Sequence, residues 1–285
     1  MSIPFTQAGA DFYVPDGVTS PEAALGRTTH LAIAAHQDDI EFMAYHGILE
    51  CFGRADRWFS GVVVTDGAGS SRAGIYAGLS DAELRGIRRQ EQRKAAFVGE
   101  YSAQVQLAHP SASAKDGGNA EIQRDLAAVL ARCAPKVVYL HQPADKHDTH
   151  VGVFGHALKA LRALPPERRP AEVYGCEGWR DLDWLVDADK RLLDTGARPN
   201  IAAALAGVFD SQITGGKRYD LGILGRRAAH ATMFQPRDSD ATTGITWAMD
   251  LTPLVRDPSL SVEAYTLAHV DRLRADIADR LRRNT

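Results

Sequence analysis

The segment Ala35-His36-Gln37-Asp38-Asp39-Ile40-Glu41 directly follows the apolar run Leu31-Ala32-Ile33-Ala34, so a histidine and two adjacent aspartates stand where a strand ends. A second cluster, His147-Asp148-Thr149-His150, follows another strand-like run, Lys136-Val137-Val138-Tyr139-Leu140. In an open α/β sheet, side chains at the carboxyl ends of strands can converge in one crevice. Two imidazoles and one carboxylate suit Zn²⁺ or a similar divalent ion, and three protein ligands leave a position for water. Such a water becomes a nucleophile near neutral pH. We assign His36, Asp39 and His150 as metal ligands, with Asp38 as the general base that takes the water's proton. His147 is then free to assist the carbonyl oxygen or the departing amine.

Each cluster alone has a structural explanation. Asp38-Asp39-Ile40-Glu41 fits a helix start, because an aspartate N-cap with glutamate three residues on is a capping box. A single H-x-x-H spacing occurs readily by chance. The metal assignment rests on conjunction: both clusters follow strand-like runs, and together they complete one three-ligand set.

The first segment resembles the A-H-P-D-D-[IVE]-E signature of the PIG-L/LmbE-like de-N-acetylases, and His147-Asp148-Thr149-His150 resembles their downstream H-x-x-H. Weaker matches extend the similarity over most of the chain. Val64-Thr65-Asp66-Gly67 resembles the family's strand-end T-[ND]-G, Arg88-Arg89-Gln90-Glu91 its R-x-x-E helix, and Ala229-His230 its A-x-H helix. The resemblance implies a Rossmann-like fold and zinc-dependent removal of an N-acetyl group from an amino sugar or related conjugate through metal-bound water. It implies the same ligands and base, and it adds Arg88 and His230 as substrate contacts. The implied cofactor is Zn²⁺, with Fe²⁺ or another divalent ion as the alternative.

Departures from the family pattern carry expectations of their own. Gln37 replaces the usual proline, which would fix φ near −65°, so a looser metal turn is expected. Tyr45 and His46 replace a glycine pair, implying a reshaped pocket wall or different helix packing. Thr149 replaces an aspartate, leaving Asp145 or Asp148 to orient His147.

The elements that must position these residues alternate along the chain. His30 to Ala35, Trp58 to Thr65, Gln104 to Ala108, Lys136 to His141 and Glu172 to Cys176 read as strands. Helical stretches run from Asp81 to Val98, opened by a Ser80/Glu83 capping box, from Ala120 to Cys133, and from Val151 to Leu164. Later ones run from Lys217 to Met233 and from Ser261 to Arg282. The alternation predicts an α/β fold with a mainly parallel sheet and helices on both faces, as one domain over residues 1–285. The segment from Glu177 to Trp184 fits either a substrate mouth or a packed surface loop.

A net charge of −3 argues against a nucleic-acid footprint. No apolar run approaches the roughly 20 residues that span a bilayer, and the N-terminus lacks a secretory pattern, so a cytoplasmic location is the expectation. Cys51, Cys133 and Cys176 show no metal or disulfide spacing and read as buried thiols. The expected partner is a small N-acylated substrate, and a homo-oligomer is left open. Rival readings are an amidase acting on a thiol conjugate or antibiotic intermediate, a metal-dependent phosphoesterase, and a catalytically silent ligand-binding relative.

Overall fold

The computed structural model describes residues 3–285. Its strands are β1 (Asp11–Tyr13), β2 (His30–Ala34), β3 (Phe59–Thr65), β4 (Ala103–His109), β5 (Val137–His141), β6 (Glu172–Cys176), β7 (Lys190–Asp194) and β8 (Ile245–Asp250). They form one eight-stranded sheet in the order β1-β4-β3-β2-β5-β6-β8-β7. The five strands expected from sequence, β2 to β6, are the parallel centre. The three not anticipated are peripheral: β1 is antiparallel to β4, and β8 is antiparallel to both β6 and β7.

Strand alternation builds a core on each face of the sheet, since successive side chains point to opposite sides. Leu31, Ile33, Val62, Val64, Val138 and Leu140 pack with Ile122, Leu126, Val153 and Leu161 on one side. Ala32, Ala34, Phe59, Val63 and Tyr139 pack with Ile40, Ile48 and Ala95 on the other. The α/β class with helices on both faces is therefore observed.

The centre of the sheet determines where a site can form. The chain passes from β2 to β3 and β4 on one side, whereas β5 and β6 lie on the other. The loops leaving β2 and β5 thus diverge, and a crevice opens between them at the carboxyl ends of these neighbouring strands.

Three helices frame that crevice. Asp81–Val98 has the expected capping box: Ser80 Oγ accepts from Glu83 N at 3.3 Å, and Glu83 Oε2 accepts from Ser80 N at 2.8 Å. The helix after β5, Asp148–Arg162, begins three residues earlier than expected because His147 caps it, its Nδ1 accepting from Thr149 N at 3.3 Å. That cap places His150 in the first turn. Tyr219–Met233 lies over the crevice mouth. Among the described residues, no helix is long and apolar enough to cross a membrane, and all three cysteines are free and buried.

Candidate metal centre

The turn after β2 is built under backbone strain. Asp38 has φ 92° and makes no helix-capping bond with its side chain, so the capping explanation does not describe it. A non-glycine residue held there costs of order 1–3 kcal/mol and persists only where its surroundings over-determine it. Those surroundings are specific. Asp38 N donates to Gln92 Oε1 at 3.2 Å, Arg88 Nη2 donates to Gln37 O, and His36 N donates to Asp39 Oδ2 at 2.7 Å.

Gln37 does not loosen this turn. Its buried Nε2 donates to Thr65 O at 3.3 Å and to Gln106 Oε1 at 3.1 Å, tying the turn to β3 and β4. Side-chain hydrogen bonds here replace the rigidity a proline ring would supply.

His36, Asp39 and His150 are brought together. Asp39 Oδ2 lies 3.3 Å from His36 Nδ1 and 3.4 Å from His150 Nε2. A tetrahedral centre with bonds of about 2.0–2.1 Å has donor–donor edges of about 3.3–3.4 Å. His150 Nε2 is buried without a hydrogen-bond partner, as a ligand atom would be. The three residues therefore fit a divalent ion in both donor type and spacing.

Protonation states follow from the surroundings. Burial works against ionising Asp39, but the surrounding His150, His141 and His36 imidazoles outweigh it and hold the carboxyl well below its usual range. Burial lowers the pKa of His36, keeping it neutral and able to ligate. For His150 burial opposes the charged form, yet the Asp39 and Asp145 carboxylates raise its pKa. A metal ion bound there would compete with that proton, because only the neutral imidazole can ligate.

A supporting shell lies behind the three. His150 Nδ1 sits 3.4 Å from Asp145 Oδ2, the carboxylate–imidazole arrangement that orients a ligating histidine. Asp145 also accepts from His147 N at 3.0 Å and from Trp179 N at 3.1 Å. It therefore orients His150, while the His147 ring is oriented by the Thr149 N–H; Asp148 is exposed. His141 stacks on His150 with centroids 3.9 Å apart, and its Nε2 accepts from Ala35 N at 2.9 Å. Burial pushes its pKa down to about 4, so it is neutral. His141, Asp145 and His150 form a second cluster of potential ligands, but it shares His150 with the first, so the two sets cannot be filled independently.

Gly178 makes this shell possible. A Cβ there would meet Asp145 Oδ2 at 2.4 Å and His150 Nδ1 at 3.2 Å. Gly178→Ala should therefore push Asp145 off His150 and weaken metal affinity on the order of 10–100-fold. Competition against a fluorescent chelator measures this, and unchanged affinity would remove Asp145 from the supporting role.

The cluster opens into a cleft of about 670 Å³, whose lining includes Asp38, Arg88, His147, Glu177, Trp179 and Tyr219. His147 is half-buried, its ring centroid 5.1 Å from that of His36 and 4.6 Å from that of His150. Burial, then the nearby His150 charge, lower its pKa. Asp38 is buried beside Arg88, with Arg88 Nη2 3.4 Å from Asp38 Oδ2. Its pKa stands well above the ordinary carboxylate range because burial outweighs the opposing pull of Arg88.

Arg88 is not half of an exposed helical ion pair. It is 2% exposed and reaches the metal turn, while Glu91 accepts from Ser211 N at 2.8 Å and Ser211 Oγ at 2.6 Å. It lines the cleft and also donates to Gln37 O beside Asp38, so removing it leaves a buried acceptor of the strained turn unpaired, at a cost of about 1–3 kcal/mol. Arg88→Ala should lower kcat/KM on the order of tenfold or more and lower Tm as well. Arg89→Ala, which loses only a bond to Gly9 O, should change neither appreciably. Equal, small effects from both would return Arg88 to a passive role.

His230 is placed behind the cleft wall. Its ring stacks on Trp247 at 3.6 Å and 7°, and its Nδ1 lies 3.2 Å from Oε2 of Glu177, which does line the cleft. Asp66 serves its turn, accepting from Ala68 N at 3.0 Å and pairing with Arg85. Tyr45 and His46 act in helix packing, donating to Arg198 O at 2.8 Å and meeting Tyr139 Oη at 2.9 Å respectively. Of the Glu177–Trp184 segment, Glu177, Gly178 and Trp179 form part of the mouth.

Fold and site together define an α/β protein with a His₂Asp cluster at the switch point of a mostly parallel sheet. Residues 31–161 match the PIG-L family, described as GlcNAc-PI de-N-acetylase, which bears out the resemblance carried by the motifs. No curated protein matches the chain. Among solved structures it is similar to N,N'-diacetylchitobiose deacetylase from Pyrococcus horikoshii, with TM-score 0.62 and 15% identity over 81% of this chain and 86% of that one. It is similar to GalB, the 4-carboxy-2-hydroxymuconate hydratase from Pseudomonas putida KT2440, with TM-score 0.58 and 18% identity over 79% and 96%. It is also similar to the A40926 pseudoaglycone deacetylase Dbv21, with TM-score 0.54 and 19% identity over 79% and 97%. At these identities the likeness is one of fold, and a fold that includes a hydratase leaves the reaction to be argued from the site.

Proposed function

We propose that this chain, acting as a single catalytic domain, is a metal-dependent hydrolase that removes an N-acetyl or other N-acyl group from an amino sugar or related small-molecule conjugate. The observation that carries this proposal is the trio His36, Asp39 and His150, in which Asp39 stands at tetrahedral donor spacing from each histidine, with a buried carboxylate, Asp38, next in sequence but outside the trio. A divalent ion held by the trio, Zn²⁺ being the best fit to its donors, supplies Lewis-acid activation of water and of the acyl carbonyl.

The remaining steps belong to side chains. Asp38, made more basic by burial, accepts the proton of the attacking water and returns it to the departing amine. Arg88 holds the Asp38 turn in place. His147, whose Nδ1 already accepts from Thr149 N, offers Nε2–H to the carbonyl oxygen as charge develops there. All members of the set are present, which weighs against a silent relative. A two-metal phosphoesterase would need an independent second ligand set.

The test is to load the protein with Zn²⁺ or Fe²⁺ and incubate it with a panel of N-acetylated sugars, thiol conjugates and glycopeptides, measuring acetate and free amine together. Release of both in equal amounts supports the proposal. Water addition to an unsaturated acid without acetate release would replace it with hydratase chemistry.

A further inference from the structure

The cleft floor accounts for the reacting amide, but its mouth carries cations that this chemistry does not use. Lys217, Arg218 and Arg226 come from the Tyr219–Met233 helix and the turn before it, and Lys115 comes from the segment after β4. Arg218 is matched by Asp220, through bonds of 2.9 and 2.8 Å. Among the described residues, Lys115, Lys217 and Arg226 have no acidic partner.

Two of these three cations are held in place. Lys217 Nζ lies 4.3 Å over the Trp179 ring, which itself packs edge-on against Tyr219 at 6.0 Å. Arg226 Nη1 donates to Gly178 O at 2.7 Å. A long side chain fixed by an aromatic face or a carbonyl has already lost part of the freedom that binding would otherwise remove. Trp179 is in turn 6.4 Å from the His147 ring, so this array begins beside the reacting centre and extends outward.

The carboxylates of the cleft have partners of their own and pair with none of these three cations. Asp38 is paired with Arg88, and Asp39 is enclosed by His36, His141 and His150. Glu177 accepts from Leu182 N at 3.0 Å and from Trp247 N at 3.1 Å. Nor does the basic mouth reflect a basic protein, since the chain carries a net charge of −3.

We propose that the outer cleft binds an anionic group, a carboxylate or a phosphate, on the part of the substrate remote from the acyl amide. Lys217 and Arg226 grip it, and Lys115 adds longer-range attraction. Only the assignment of the anion to an N-acyl substrate rests on the deacylase proposal. The anion site itself needs no turnover to be detected.

The experiment compares N-acetylglucosamine with N-acetylglucosamine 6-phosphate and N-acetylmuramic acid on the metal-loaded protein, at about 10 mM and about 0.3 M NaCl. The expected result is a kcat/KM on the order of tenfold or more higher for at least one anionic compound at low salt, equivalent to about 1.4 kcal/mol. The compound preferred distinguishes phosphate from carboxylate. The advantage should shrink at high salt and approach unity in Lys217→Ala/Arg226→Gln, and reverse in Lys217→Glu.

Inorganic pyrophosphate, titrated against tryptophan fluorescence, should saturate and bind on the order of tenfold more weakly in the double variant. Equal turnover of all three compounds with unchanged pyrophosphate binding in the variants would overturn the anion site. No amine release from any compound, with pyrophosphate binding still lost in the variants, would overturn the deacylase proposal and support the anion site.

Discussion

Asp38→Asn should keep about one equivalent of divalent metal and lose on the order of 10²–10⁴-fold in kcat, the range for removing a general base. Asp38 lies outside the three-donor set, so its replacement leaves the ligand atoms where they are. Asparagine also tolerates positive φ better than most residues, so the φ 92° turn should survive. What is lost is proton acceptance by a carboxylate whose burial makes it a stronger base than a solvated one. Metal analysis and turnover measured on one preparation check this. Metal lost together with activity would place Asp38 among the ligands, and unchanged kcat would end its role as base.

His150→Ala should reduce bound metal to a small fraction of an equivalent and turnover to background, and His36→Ala should do the same. Two donors cannot hold the ion as three do. At His150 the loss compounds, because Asp145 then loses its imidazole and His141 the ring it stacks on. His156→Ala is the control. His156 is buried in the same helix, its Nδ1 2.8 Å from Gln123 Nε2, and it takes no part in the cleft. Elemental analysis after purification without added metal is the measurement. Full metal content in both ligand variants would sink the centre, and loss in His156→Ala would show that the assay reads folding instead.

Much of the site was legible because it is local. His36, Asp38 and Asp39 follow one apolar run and His150 follows another, and both runs became neighbouring parallel strands. The central strands were legible for the same reason: strands buried on both faces are nearly continuous apolar runs. The peripheral strands were not. β1 is three residues long, and β7 is Lys-Arg-Leu-Leu-Asp, whose charges hide an edge strand.

Other residues changed meaning once their neighbours were known. The spacing of Arg88 and Glu91 is that of a helical ion pair, yet one turned to Asp38 and the other to Ser211. Gln37 has no local sign of the bonds it makes to β3 and β4.

The α/β class was readable from apolar periodicity, and strand-end clustering singled out His36, Asp39, His150 and Asp38 as the candidate donors and base, because both are short-range signals. Tertiary contacts were needed to see that Asp145 lies against His150, that a side chain at Gly178 would collide with both, and that Lys217, Trp179 and Arg226 frame the mouth. Periodicity reports which face of an element is buried. Which atoms from distant elements meet there depends on strand order and on close approaches that no one-dimensional spacing encodes.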